Sequence, residues 1–132
     1  MGQPAARKGD TVTGIDVHIV IVPVPPPTPT PLPHPFSGSI TDATVASVLI
    51  EGAEAATVDS VASNSPSHVP TPPGTSFQAP PANEGAVSTG STSVTIGGKA
   101  AARLGDPVRT CNDPVDADTS AITSGATTVL IG

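Results

Sequence analysis

Val48-Leu49-Ile50-Glu51-Gly52-Ala53-Glu54-Ala55-Ala56 and Val94-Thr95-Ile96-Gly97-Gly98-Lys99-Ala100-Ala101-Ala102 share one pattern, V-x-I-x-G-x-x-A-A. The second copy continues Arg103-Leu104-Gly105-Asp106. Val129-Leu130-Ile131-Gly132 repeats the first half of the unit, and Pro4-Ala5-Ala6-Arg7-Lys8-Gly9-Asp10 repeats the second half. A third copy is thus divided between residues 129–132 and 1–10, and its halves must meet in space. Three like units closed by the ends predict approximate threefold symmetry about one axis. Each V-x-I is expected as a short strand, and the glycine after it permits a tight turn. A-A-R-x-G-D is expected as a turn, with Gly9 and Gly105 free to take positive φ and Arg to Asp at i, i+3 bracketing it. The copy at 55–60, Ala-Ala-Thr-Val-Asp-Ser, lacks both the Arg and the Gly. Arg7 and Arg103 accordingly read as scaffold.

Composition agrees with a small, turn-heavy β protein. Seventeen prolines, thirteen glycines and thirty serines and threonines make up 60 of the 132 residues. Leu occurs only at 32, 49, 104 and 130, which excludes a helical bundle. Phe36 and Phe77 are the only aromatics, so a large core is out of reach. Charged residues are 12% of the chain, so charge repulsion does not enforce disorder. The net charge is −6, and the five basic residues are scattered at 7, 8, 99, 103 and 109. No basic stripe and no stacking platform exist for nucleic acid. The longest aliphatic run, Ile19-Val20-Ile21-Val22, stops at Pro23, far short of a membrane span. No apolar leader opens the sequence, so synthesis in the cytoplasm without a cleaved signal is expected.

Residues 11–22, TVTGIDVHIVIV, alternate Ile15, Val17, Ile19 and Ile21 with Asp16, His18, Val20 and Val22, the period of a strand. Residues 23–35 carry eight prolines and predict an extended loop. Residues 66–81 carry six more and predict a second surface loop. Cys111 stands alone, which forbids an internal disulfide. The nitrogen and sulfur donors are His18, His34, His68 and Cys111. His18 and His68 each lie twelve residues past the second alanine of their unit, and Cys111 lies nine past Ala102. Each unit therefore delivers one donor at a similar point, and His34 can add a fourth. Zinc suits imidazole and thiolate, and four protein ligands make a structural site. The spacing itself leaves open the alternative of three loop histidines and a buried free thiol, since no C-x-x-C or H-E-x-x-H pattern is present.

The literal Pro4-Ala5-Ala6-Arg7, and Ala101-Ala102-Arg103-Leu104-Gly105-Asp106, resemble the PAAR-repeat family, the pointed tip on the spike of contractile injection systems of the extracellular, type VI and phage kinds. The ending Ser124–Gly132 resembles that family's closing strand. The resemblance covers essentially the whole chain, residues 1–132, as one domain. It implies an all-β fold, a small cone with pseudo-threefold repeats of short strands and long Pro-rich loops. It implies structural Zn2+ near the point, with His18, His34, His68 and Cys111 matching three histidines and one cysteine. It implies a trimeric spike protein as partner, one tip per trimer, transient contact with a target membrane, and delivery outward on contraction. The Pro-rich excursion around His34 is long for such a tip. Ala100 stands where the motif's second copy would have proline.

Two other classes compete. A zinc-dependent hydrolase needs an open metal position and a general base, and Glu51, Glu54 and Glu84 have no helical His partner beside them. A Pro/Thr-rich adhesin or linker predicts disorder without metal. The last repeat closes at the end of the sequence, so no fused toxin domain is expected.

Overall fold

The computed structural model describes residues 2–132 and contains thirteen strands and no helix among them. They are β1 (Gln3–Pro4), β2 (Thr11–Val22), β3 (Thr28–Asp42), β4 (Val45–Ile50), β5 (Ala53–Ala55), β6 (Val61–Asn64), β7 (Ser76–Phe77), β8 (Glu84–Val87), β9 (Thr95–Ile96), β10 (Lys99–Ala100), β11 (Pro107–Thr110), β12 (Ala117–Ile122) and β13 (Leu130–Ile131). The fold is all-β, and three like units build it.

Each unit contributes two parts. One is a two-stranded sheet from the V-x-I segment and the residues after it: β4–β5, β9–β10 and, joining the ends, β13–β1. Gln3 faces Ile131 and Pro4 faces Leu130. The other part is an antiparallel pair that follows each A-A turn: β2–β3, β6–β8 and β11–β12. These six strands pair in the order β2–β3–β6–β8–β11–β12, and β12 returns to β2, so the sheet closes on itself. Closure pairs every strand of that circuit on both sides near the alanine turns, while the far parts of β2 and β3 extend beyond β12 and β6.

The alanines sit where the three units cross. Ala6 N–H donates to Ala102 C=O, Ala102 to Ala56, and Ala56 to Ala6, each at 3.0 Å. A second cycle surrounds the first: Lys8 N–H to Glu54 C=O, Val58 to Ala100, and Leu104 to Pro4, at 2.8–2.9 Å. Ala5, Ala55 and Ala101 are fully buried beside the ring. A side chain larger than methyl would keep three backbones from approaching this closely. Ile50, Ile131 and Ala126 pack beneath them, with Val94, Ile96 and Val129 at the margin. On the barrel side Ala6, Ala56 and Ala102 join Val12, Phe36, Ile40, Val87, Val108 and Ile122.

The turns obey the expected chemistry. Arg7 Nε and Nη2 reach the Asp10 carboxylate at 3.2 Å, and Arg103 reaches Asp106 at 3.1 and 2.9 Å. Asp10 and Asp106 also accept the backbone N–H of Arg7 and Arg103. In the unit that lacks this pair, Ser60 Oγ takes the same backbone bond, from Thr57 N–H at 2.9 Å. Gly9 and Gly105 hold φ of +95° and +90°, and Asp59 occupies the matching position at +76°.

The expected loop over 23–35 is corrected. Only residues 23–27 turn, and β3 begins at Thr28 and pairs with β2 from Val22↔Thr28 to Thr11↔Ser39. Pro29, Pro31, Pro33 and Pro35 fall on alternate residues, all on the exposed face. Their backbones point away from β2, toward an edge that β6 does not reach, since β6 pairs only with Gly38–Asp42. Pro33 C=O on that side accepts from Thr71 Oγ1 at 2.8 Å. Every second residue thus needs no donor, which is where a strand tolerates proline. The 66–81 stretch does run as loop, except that Ser76–Phe77 forms β7 against Val20 and Ile21.

Candidate metal centre

Strand β2 matches the expected 11–22, and its inward face carries the polar Asp16 and His18 between Val12 and Val20. Asp16, His18 and Val20 are buried, while Ile15 is 51% exposed and Val17 38%. Two residues apart on a strand share a face, so Asp16 and His18 enter the interior together. Asp16 stands opposite His34 of β3. His68 comes from the loop after β6, and Cys111 follows β11 directly. β2, β6 and β11 each follow an alanine turn and leave the ring in the same sense, so the donors on or after them gather at the ends far from the ring, and antiparallel β3 brings His34 back beside them.

The loops are tied to β2 by polar side chains. Val17 N–H donates to Asn112 Oδ1 at 2.7 Å, and Ile19 N–H to Asp113 Oδ2 at 2.9 Å. His68 N–H donates to Asn83 Oδ1 at 2.7 Å. The histidine rings pack against one another: His18 to His68 at 5.0 Å between centroids, His18 to His34 at 5.4 Å, His34 to His68 at 5.6 Å. Phe77 covers His18 and His34, and Phe36 packs on His68. Both aromatics of the chain therefore wall this cluster.

Asp16, His18, His68 and Cys111 place donor atoms within 4.8 Å of one another. Asp16 Oδ2 lies 2.9 Å from His68 Nε2 and accepts from Cys111 Sγ at 3.4 Å. Its Oδ1 accepts from the hydroxyls of Thr110 and Thr119. His18 is 1% exposed, and neither ring nitrogen has a hydrogen-bond partner. Asp113 Oδ2 stands 3.4 Å from Nδ1 without a hydrogen bond, and Nε2 faces no such group among the described residues. A buried ring left this way is costly unless something binds there. Burial pushes the Cys111 thiol up to about 11, and the nearby Asp16 charge adds to this. Burial lowers the His34 pKa, against the hydrogen bond to Leu32 C=O that raises it.

The donor chemistry fits a borderline-soft divalent cation: imidazole, thiolate and one carboxylate, largely buried and already close together. Of the four expected donors, His18, His68 and Cys111 belong to this mutually close set. His34 touches the other rings, but it is not in the set. Its Nδ1 faces Leu32 C=O at 2.9 Å, and Nε2 accepts from Thr71 N–H at 3.1 Å. The sequence reading missed Asp16, whose one signal was its place two residues before His18 on the same strand face. Thr110 and Thr119 carried no signal.

A family model described as the PAAR motif matches residues 78–132, a stretch that holds the second repeat, Cys111 and the closing strand β13. Among curated proteins no match is found.

Proposed function

We propose that this chain, a PAAR-repeat protein through residues 78–132, is a structural tip that caps the trimeric spike of a contractile injection system and stiffens its point with one zinc ion. The observation that carries the reading is the threefold hydrogen-bond ring of Ala6, Ala56 and Ala102 inside a single chain. A trimeric apex offers three equal surfaces, and a chain with three like edges can meet all of them at once. Those edges are β4–β5, β9–β10 and β13–β1. The middle residue of each V-x-I points outward: Leu49 is 63% exposed, Leu130 60%, and Thr95 is exposed.

At the opposite end His18, His68 and Cys111, with a fourth donor, would hold the metal. Bound zinc supplies no reaction here. It cross-links β2, the 66–75 loop and the residue after β11, segments too polar to build a core between them. The point then resists the load of contraction, and transient contact with a target membrane follows from its place at the front. The chain would be made in the cytoplasm and carried outward on the particle.

The test is reconstitution with a trimeric spike protein. Native mass should give one tip per three spike chains. Leu49→Asp and Thr95→Asp should weaken docking by at least tenfold each, while a substitution in the 25–31 segment should not. One tip per spike monomer, or docking lost only through the loop, would overturn the reading.

A further inference from the structure

We infer that Asp16, and not His34, supplies the fourth donor of this centre, so that a divalent cation is held by one carboxylate oxygen, two imidazoles and one thiolate. The inference rests on reading the cluster as a metal site and goes beyond it by fixing which side chains make the bonds. Three observations carry it. First, Asp16 is fully buried, and its Oδ1 is taken by the hydroxyls of Thr110 and Thr119. That leaves Oδ2 aimed at the other donors, 2.9 Å from His68 Nε2 and 3.4 Å from Cys111 Sγ. A carboxylate fixed through one oxygen, with the other turned toward the remaining donors, is how a ligating carboxylate is held in place.

Second, the nitrogens of His34 are already engaged. Nδ1 donates to Leu32 C=O at 2.9 Å, which puts the lone pair on Nε2, and Nε2 accepts from Thr71 N–H at 3.1 Å. To ligate, His34 must give up the Thr71 bond, which ties the 66–75 loop to β3. His18 offers the contrast: neither of its buried nitrogens makes a hydrogen bond, and the carboxylate beside it, Asp113 Oδ2, stands 3.4 Å from Nδ1. Third, charge closes. One buried carboxylate and one thiolate balance a divalent cation, and no arginine or lysine hydrogen-bonds or pairs with Asp16 among the described residues. Buried charges persist where they are paired or coordinate metal. When the Cys111 thiol becomes the thiolate ligand, its proton passes to water as the sulfur–metal bond forms.

The experiment uses the full chain loaded with zinc, with affinity read by chelator competition and content by elemental analysis. Asp16→Asn keeps the shape and removes the anionic oxygen. It should lower zinc affinity by more than about 100-fold, beyond the ~10–100-fold usual for a residue that only supports a ligand. His34→Gln should stay within about tenfold. X-ray absorption at the zinc edge of the wild-type protein needs no variant to fold, and should show one sulfur, two imidazoles and one further oxygen. Three imidazoles around the metal, or His34→Gln losing zinc as heavily as Asp16→Asn, overturns the assignment and leaves the metal centre standing. A wild-type chain that takes up no zinc overturns both.

Discussion

The alanine ring and the candidate metal centre are built by the same three units, yet one is symmetric and the other is not. At the ring all three units make the same bonds, because those bonds run between backbones and the side chains are methyl groups. At the centre the units supply His18, His68 and Cys111, three different approaches from a strand, a loop and a strand end. Backbone geometry repeats when a turn repeats, whereas one ion on an axis needs a particular set of donors, and these three units differ freely there. The β2–β3 pair is also the longest, with twelve paired positions, so the first unit alone reaches past the centre and carries Asp16, His18 and His34.

The sharpest break of the symmetric end is deletion of 129–132. It removes the partner of β1, the buried Ile131 and the Val129 C=O that accepts from Ala5 N–H at 2.9 Å. Loss of a buried isoleucine alone costs roughly 2–5 kcal/mol, against a total stability of about 5–15 kcal/mol for a domain. The truncated chain should fail to melt cooperatively in calorimetry, although four terminal residues are usually expendable. An unchanged melting temperature would detach the closing strand from the threefold scheme.

If the candidate centre holds a metal as proposed, removing it should act on the other end alone. Chelation, or Cys111→Ser, should lower the melting temperature and release hydrogen-exchange protection at Val17 and Ile19, whose N–H groups hold the 112–113 loop. The ring amides of Ala6, Ala56 and Ala102 should stay protected, since their bonds do not pass through the donors. Equal loss of protection in both places would show that the two ends are one cooperative unit.

In the metal-free state the thiol offers a smaller, chemical reading of the same end. An ordinary cysteine ionises near pH 8.5, and Cys111 is pushed up to about 11. At pH 8 its thiolate fraction, and so its iodoacetamide rate, should fall at least tenfold below that of the unfolded chain. The folded state keeps the proton to higher pH than the unfolded state. Its advantage is therefore whole below about pH 8.5 and declines as pH rises toward 11. A rate matching the denatured protein would mean that the site is open to solvent.

How much of this is visible in the sequence follows the same division. The V-x-I-x-G-x-x-A-A copies and Gly9 and Gly105 expose the symmetric end, because its constraints fall on small residues that little else can replace. β2 is visible from its alternation, but not which face turns inward: the aliphatic face is the exposed one, and the buried face carries Asp16 and His18. The strand through Pro29–Pro35 is hidden because proline reads as a loop former, although its strict alternation matches a strand with one open edge. Asp16 is hidden because an aspartate on a strand reads as solvated. Thr110 and Thr119, which hold it in the interior, lie 94 and 103 residues away along the chain.

The smallest expected effect tests the symmetric end where its sequence departs from the rule. Gly9, Asp59 and Gly105 occupy one structural position at φ of +95°, +76° and +90°. All three donate their N–H to the end of a barrel strand: Gly9 to Ile40, Asp59 to Val87, Gly105 to Ile122, at 2.8–2.9 Å. A side chain in the left-handed region costs about 1–2 kcal/mol, with aspartate toward the low end. Asp59 also meets Lys99 at 3.0 Å, but both side chains are largely exposed, and such a pair contributes little. Relief of strain therefore outweighs the lost pair, and Asp59→Gly should stabilise the protein by about 0.5–1 kcal/mol in urea unfolding with an unchanged m-value. The reverse change, Gly105→Asp, should cost about as much, because no heavy atom lies within 4 Å of the added Cβ and only the backbone pays. Asp59→Gly that destabilises would show that the second unit holds its turn by other means than the two units on either side of it.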